Sequence, residues 1–309
     1  MIGSRQIART WGLSWADGLL LLTALFWGVN FSVVKFALAE IPPLAFNGVR
    51  FLVASGTMLL LARAAGNHFN FRRRHLAYLI GLGLLGNTAY QLFFVFGISH
   101  TTADNSSLIL ATVPAWVALI GSAVGVERLA FRGWLGVILS LLGIALIIAG
   151  SNRTAHFQFG GATLGGDLLI LGATLCWSCY TLLVRPLMRH YNSAAVTSFS
   201  TSMGTIPLVL VAIPSLVRLD WAAVPIISWA ALLFSGVFGI ALAYFFWNHG
   251  VARLGSARTS LYSNLTPPIA LVTAWLWLGE TLTPLQWGGT VLALAGVILA
   301  RQFTRPTRA

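Results

Sequence analysis

Long apolar stretches, separated by short polar or basic segments, run through nearly the whole chain and constrain its fold most. Of the 309 residues, 57% are hydrophobic and only 8% are charged, whereas a soluble domain carries about a quarter charged residues. A helix that crosses the hydrocarbon core of a bilayer needs about 20 apolar residues. The sequence therefore predicts an all-α membrane protein with the lipid bilayer as its solvent, and it excludes a disordered, fibrous or disulfide-stapled chain.

The apolar stretches divide into ten predicted transmembrane helices. They cover residues 17–39, 44–64, 75–97, 104–124, 131–149, 167–189, 194–214, 224–248, 256–278 and 284–302. Proline, glycine or charged residues bound each span, as is typical where a helix leaves the membrane. The remaining residues form short loops and tails, which leave no room for a soluble catalytic domain.

Basic residues are distributed unevenly between the predicted loops. With the N-terminus in the cytoplasm, all of the nineteen Lys and Arg residues lie on the cytoplasmic side except Lys35, Arg50, Arg153 and Arg218. Cytoplasmic loops are enriched in basic residues, so we predict that both termini lie in the cytoplasm. This bias also accounts for the net charge of +12, and we expect no nucleic acid partner.

The chain contains two related halves. A shift of 150 residues aligns Trp27 with Trp177, and a shift of 153 residues aligns Pro114 with Pro267. The same shifts align Asp17 with Asp167, Gly86 with Gly239, Glu127 with Glu280, and Trp134 with Trp287. Since each half has an odd number of spans, the second half enters the membrane from the opposite side. We predict two inverted five-helix repeats, residues 17–150 and 167–303, with a linker at 151–166 and tails at 1–16 and 304–309.

Local motifs add a family resemblance. They are WGVNF at 27–31, TVP at 112–114, LTPP at 265–268, and the Glu127 and Trp134 pair with its repeat at Glu280 and Trp287. In these motifs the chain resembles the EamA-type drug/metabolite transporter superfamily, which has ten helices in a five-plus-five arrangement. It is most similar there to bacterial exporters of aromatic and other neutral amino acids. The resemblance implies a transporter of the bacterial inner (plasma) membrane and not an enzyme.

Charged side chains are nearly absent from the middle of the predicted spans. Every carboxylate falls at a span end or in a loop, and the cations Lys35 and Arg50 lie near the outer end of their spans. A cationic drug would need a buried acid, and a dianionic substrate several cations, so a neutral or zwitterionic substrate is favoured. The sequence has no phosphate-binding loop, metal-ligand cluster or catalytic motif, so we predict no cofactor, no metal site and no catalytic residue.

Aromatic and amide side chains do occur at the depth of a central cavity. The predicted substrate-binding residues are Trp27, Asn30, Asn87, Tyr90, Gln91, Phe94, Trp177, Tyr180, Tyr244 and Asn264. Aromatic rings stack on a flat substrate and attract an ammonium group, and a buried amide needs a hydrogen-bond partner. Packing of the rings and amide contacts between helices are the alternative interpretation.

Two further patterns indicate moving and fixed parts. Pro114 and Pro267 lie within spans four and nine, where a proline kinks a helix, and we predict that they act in gating. Spans five and ten carry small residues at matching positions, namely Gly136, Ser140, Gly143, Gly289, Ala293 and Gly296. Such faces permit close helix packing, which predicts a scaffold contact or a homodimer through these spans.

The sequence thus predicts a secondary transporter that exports small neutral or zwitterionic metabolites by alternating access. Aromatic and other neutral amino acids are the favoured substrates. The alternative is an exporter of another metabolite class, such as drugs or nucleotide sugars. A membrane-embedded enzyme and a receptor that binds without transporting are more distant alternatives, and substrate flux into vesicles separates them from a transporter.

Overall fold

The computed structural model describes residues 14–67, 69–98, 100–101, 103–126, 128–150, 164–278, 283–302 and 304–305. These residues form ten consecutive helical rods, α1 to α10. They are α1 (Trp15–Ala37), α2 (Pro43–Ala64), α3 (Arg73–Ile98), α4 (Ala103–Ala111 and Val113–Ala123), α5 (Phe131–Ala149), α6 (Leu164–Leu183), α7 (Ser193–Arg218), α8 (Ile226–Leu254), α9 (Ser256–Ser260 through Thr266–Leu278) and α10 (Pro284–Gln302). Most of the predicted N-terminal tail and linker, with Glu127 and Glu280, lies outside the described residues.

Seven of these rods are long and apolar enough to cross a membrane, namely α1, α2, α3, α5, α6, α7 and α8. Large apolar side chains point outward from them, among them Val217, which is 79% exposed, and Ile226, which is 84% exposed. Such faces are unfavourable in water and suit lipid. The helical membrane fold is therefore confirmed, with one short antiparallel strand pair, Arg128–Leu129 with Thr304–Arg305, beside it. The membrane crossing of α4, α9 and α10 stays a prediction.

The first helix begins at a capping box. The Ser14 backbone N–H donates to the Asp17 carboxylate over 2.8 Å, and the Asp17 N–H donates to Ser14 Oγ over 3.3 Å. These bonds satisfy backbone donors at the helix start. The same carboxylate accepts hydrogen bonds from Arg258, at 2.8 Å, and from Tyr262. Asp17 therefore binds α1 of the first half to α9 of the second.

Helices α5 and α10 pack in backbone contact. A Cβ atom at Gly143 would overlap the backbone of Ala293, and one at Gly296 would overlap the backbone of Ser140. Only glycine permits this approach at either position, so the small-residue faces predicted from the sequence meet within one chain as a scaffold. A homodimer would use other faces of these helices and stays a prediction.

Contacts between the halves occur in symmetric pairs. Asn30 of α1 packs on Gly239 of α8, and Tyr180 of α6 packs on Gly86 of α3. Tyr180 follows Asn30 by 150 residues and Gly239 follows Gly86 by 153, so each contact repeats with the two halves exchanged. This exchange indicates an approximate two-fold relation between the five-helix units, as an inverted repeat requires.

Interruptions of the helices also occur in matching places. π-helical turns lie at Leu84–Ala89 in α3 and at Ser235–Leu242 in α8. Helix α4 is broken at Thr112, just before Pro114, and α9 passes through a 3-10 segment, Leu261–Leu265, just before Pro267. The predicted irregularity at the two prolines is therefore present, because proline lacks the N–H that would continue the preceding turn.

Candidate functional site

Six aromatic side chains from both halves meet between α1, α3, α6 and α8. We call them the aromatic box: Trp27, Tyr90, Trp177, Tyr180, Tyr244 and Trp247. Trp177 touches all the others, with ring centroids 5.0 Å from Tyr244, 5.2 Å from Tyr90, 5.4 Å from Tyr180, 5.7 Å from Trp247 and 6.0 Å from Trp27. Phe94 extends the box by stacking on Tyr90 at 6.2 Å. These distances are those of attractive ring pairs.

Hydrogen bonds fix the orientation of two of the indoles. Trp27 Nε1 donates to the backbone carbonyl of Gly239 over 3.0 Å, and Trp247 Nε1 donates to Thr181 Oγ1 over 3.3 Å. Gly239 lies in the π turn of α8, and such turns disturb the regular ladder of backbone bonds and are frequent at functional sites. The π turn therefore aims a carbonyl at a ring of the box.

A charged cluster borders the box on the side of the α2 N-terminus. We call it the arginine cluster: Asn47, Arg50, Gln91 and Ser235. The Arg50 guanidinium donates to Asn47 Oδ1 over 2.8 Å, to Gln91 Oε1 over 3.1 Å and to Ser235 Oγ over 3.4 Å. Gln91 also lies beside the Tyr244 hydroxyl. Arg50 therefore connects α2 to α3 and α8 and adjoins the rings.

The charge of Arg50 is buried. Its side chain is 7% exposed and its Cζ lies 5.3 Å from the Phe46 ring centroid and 5.8 Å from that of Phe51. Within the described ranges no carboxylate lies within ion-pairing distance of the guanidinium. A buried charge without a counter-ion costs several kcal/mol, and ring faces offset only part of that cost.

A neutral cluster borders the box on the side of the α7 N-terminus. We call it the asparagine cluster: Tyr180, Thr197, Ser200 and Asn248. Asn248 Nδ2 donates to the Tyr180 hydroxyl over 2.7 Å and to Thr197 Oγ1 over 2.9 Å, and Ser200 lies beside the Tyr180 hydroxyl. All four side chains are fully buried. The box is thus bordered by one charged and one neutral polar cluster.

Several buried amides keep hydrogen-bonding capacity. Asn87, in the π turn of α3, has no hydrogen-bond partner for either side-chain amide atom among the described residues, and neither does Asn30 Oδ1. Buried polar atoms in native proteins are usually bonded to protein, water or ligand. Asn30 and Asn87 are therefore candidates to meet a bound molecule.

The structure brings together most of the residues predicted from the sequence. Trp27, Tyr90, Phe94, Trp177, Tyr180 and Tyr244 form one group of rings, with Gln91 beside them. Asn264 donates to Ser140 of α5 over 3.0 Å, so its amide bonds to the scaffold helix. Its role as a substrate ligand, like the gating role of Pro114 and Pro267, stays a prediction.

The predicted substrate-binding residues do not include Arg50, Trp247 or Asn248, although the last two lie beside Tyr244 at the same depth of span eight. Arg50 carried a signal, because a charge inside a predicted span usually marks function and Asn47 precedes it by three residues, on the same helix face. Trp247 follows Tyr244 by three residues in the same way. Among the described residues no group of three or more His, Cys, Asp or Glu side chains is arranged to hold a metal ion.

Known proteins are similar to this chain in fold or in sequence. A solved crystal structure superposes with a TM-score of 0.77 at 17% sequence identity, covering 96% of this chain and 99% of that one; at that identity the match shows the fold alone. A Streptantibioticus cattleyicolor protein named "Probable terminal-alkyne amino-acid exporter" is 28% identical over 94% of this chain and 95% of its own length. A Salmonella typhimurium protein named "Probable amino-acid metabolite efflux pump" is 29% identical over 93% of this chain and 95% of its own length.

The family assignment covers both halves. The model of the EamA-like transporter family matches residues 14–149 and again residues 164–302. The two matches coincide with the two five-helix units that the symmetric contacts relate. With its duplicated helical fold and its transporter relatives, this chain belongs to the EamA-like transporter family.

Proposed function

We propose that this transporter exports small neutral or zwitterionic metabolites, with aromatic and other neutral amino acids as its favoured substrates. The aromatic box carries the proposal: six rings contributed by both halves pack together, and two polar clusters border them. Rings of this kind favour a flat apolar side chain. The polar clusters suit the ammonium and carboxylate groups of an amino acid. The names of the relatives, which refer to amino-acid export, support the same substrate class.

The main alternative substrate classes fit the described residues less well. A nucleotide sugar carries at least two negative charges, and the arginine cluster offers a single cation. A cationic drug favours a buried acid, whereas the charge that borders the box is positive. Export of an amino acid therefore remains the function that the site supports best.

Alternating access is the proposed mechanism. In the described conformation Trp177, Tyr180 and Tyr244 are nearly completely buried, so the box is closed by its own packing. Opening to one side would separate the halves around the box, with α4 and α9 bending at the breaks that precede Pro114 and Pro267.

We propose that transport runs down the substrate gradient, since the acids of the predicted spans lie at helix ends. A fixed proton stoichiometry in counterflow would contradict this coupling.

The substrate proposal is tested by flux into proteoliposomes. We expect saturable uptake of Phe, Trp and Tyr, inhibition by neutral amino acids, and no inhibition by phosphates or organic cations. Trp27→Ala and Tyr90→Ala should reduce the transport of Trp more than that of Ala, because each removes a ring of the box. Trp287→Ala, at a half-exposed position on α10, is the control. No flux of any amino acid would refute the proposal.

The membrane in which the protein lies and the side on which its termini lie are also proposals. We infer an inner-membrane protein with both termini in the cytoplasm, supported by the distribution of arginine between the loops. Fluorescent and periplasmic reporter fusions to each terminus test this orientation. A periplasmic reporter that is active at either end would contradict it.

A further inference from the structure

We propose that Arg50 binds the carboxylate of the substrate, so that the site selects organic monocarboxylates with an apolar or aromatic side chain. The inference rests on the proposed function, since it assigns a chemical class to the ligand of the same site. Its basis is the geometry of the arginine cluster and the position of that cluster against the aromatic box.

The guanidinium keeps donors available. Arginine has five N–H groups, and the described contacts use one at Nε, for Asn47, and one on each terminal nitrogen, for Ser235 and Gln91. One N–H therefore remains on each terminal nitrogen. Two such donors on neighbouring nitrogens match the two oxygens of a carboxylate, which arginine often binds in a bidentate manner.

The surroundings of Arg50 make an anion favourable there. The partners of the guanidinium in the described part of the chain are neutral amides, a hydroxyl and two phenyl rings. In a site without water, a charge-assisted hydrogen bond is stronger than one between neutral groups. A bound carboxylate would therefore supply the counter-charge that the surrounding side chains lack.

The cluster is placed to act together with the rings. Gln91 accepts a hydrogen bond from Arg50 and lies beside the Tyr244 hydroxyl of the box. Tyr244 is in turn 5.0 Å from Trp177, centroid to centroid. A molecule with its carboxylate at Arg50 can therefore extend its apolar side chain toward the rings, and an amino acid has this shape.

Three ligands with the same phenyl ring separate a binding role from a structural one. L-phenylalanine carries a carboxylate and an ammonium group, 3-phenylpropionate carries only the carboxylate, and L-phenylalaninamide has no carboxylate. We expect Arg50→Gln to weaken the first two about tenfold to a hundredfold, the range for losing a charged hydrogen bond. Binding of L-phenylalaninamide should change less than about twofold, since it does not use the guanidinium.

The measurement is the ligand-dependent shift in Tm of the purified full chain, with proteoliposome flux as the second readout. Arg50→Gln should leave the Tm of the ligand-free protein unchanged or raise it, because it removes an uncompensated buried charge. Arg50→Lys keeps the positive charge but lacks the paired N–H donors of the guanidinium, so it should retain part of the carboxylate binding. Arg63→Gln, at an exposed position near the end of α2, is the matched control and should behave as wild type.

The outcomes separate this inference from the proposed function. Equal weakening of all three ligands by Arg50→Gln, unchanged binding of both carboxylates, or a wild-type Tm that no carboxylate raises would overturn the role of Arg50. Failure of wild-type liposomes to take up any amino acid would refute the proposed function instead. In that case a Tm shift by 3-phenylpropionate that is lost in Arg50→Gln would still support a carboxylate site.

Discussion

The arginine cluster and the asparagine cluster occupy corresponding places in the two halves. Arg50 and Ser200 are 150 residues apart, as are Asn47 and Thr197. The backbones around them agree: Gly236 packs on the carbonyl of Arg50, and Gly83, 153 residues before Gly236, packs on the carbonyl of Ser200. One cluster nevertheless carries a buried charge, whereas the other consists of neutral side chains.

This difference shows where duplication has been kept and where it has been lost. Close packing between helices is retained in both halves, because a two-fold arrangement needs the same approach of backbones on each side. The polar side chains beside the aromatic box have diverged. An amino acid has two different ends, so we expect a site with two different polar clusters to hold it in one orientation.

The largest effect should come from forcing the two clusters to be alike. Ser200 is fully buried, so Ser200→Arg adds both volume and an unpaired charge, and we expect a loss of more than about 4 kcal/mol of stability. The yield and Tm of purified protein measure this. Ser200→Ala is the control, with a small change expected. A stable Ser200→Arg protein would show that the asparagine cluster tolerates a buried arginine as the arginine cluster does.

An internal acid should neutralise the arginine cluster. Gln91→Glu preserves side-chain shape and places a carboxylate where the amide oxygen now lies 3.1 Å from the Arg50 guanidinium. We expect the affinity for 3-phenylpropionate to fall by about 1.5–3 kcal/mol, because the introduced carboxylate would compete for the guanidinium, without loss of Tm. Thermal-shift titrations measure both quantities. Unchanged affinity for 3-phenylpropionate would contradict the binding of its carboxylate by Arg50.

The asparagine cluster should affect stability but not the choice of ligand. Asn248→Ala removes the bonds to Tyr180 and Thr197, and we expect a loss of about 2 kcal/mol, roughly 1 kcal/mol for each bond. Its ratio of affinities for L-phenylalanine and L-phenylalaninamide should equal that of wild type. The readouts are the Tm and two ligand titrations. A selective loss of L-phenylalanine would assign the carboxylate to this cluster.

The smallest effect is expected where the halves meet as equivalents. Ser55 Oγ and Thr205 Oγ1, 150 residues apart in sequence, lie 2.7 Å from one another. Thr205 donates to the Thr201 carbonyl, so Ser55 donates to Thr205. A double-mutant cycle with Ser55→Ala and Thr205→Val should give a coupling of about 0.5–1 kcal/mol in stability. Strictly additive effects would show that this contact does not join the halves.

Sequence reasoning reached the duplicated helical fold and most of the ring cluster. The repeat is visible in the sequence because Trp27 aligns with Trp177 and Pro114 with Pro267. General hydrophobicity alone would not produce such matches. The ring cluster followed from depth, since residues near the middle of several spans must lie close together in a bundle. The lengths of the spans were also predictable, because the bilayer sets them.

The π turns and the role of Arg50 were not reached. A π turn differs from an α-helix by one step in the hydrogen-bond pattern, and residues such as Leu84 and Ser235 do not mark where that step occurs. Arg50 lies seven residues after Pro43, the first residue of α2, a depth from which arginine can extend to the interface. Only the tertiary contacts with Gln91 and Ser235 show that it points into the protein.

The Trp27 indole N–H donates its hydrogen bond to a main-chain acceptor, the carbonyl of Gly239 in the π turn of α8. Scanning mutagenesis of α8 side chains would not remove this bond, because every replacement retains the carbonyl. Screens that infer interactions from side-chain losses in α8 will therefore miss this hydrogen bond unless they also change the Trp27 indole or shift the register of the helix.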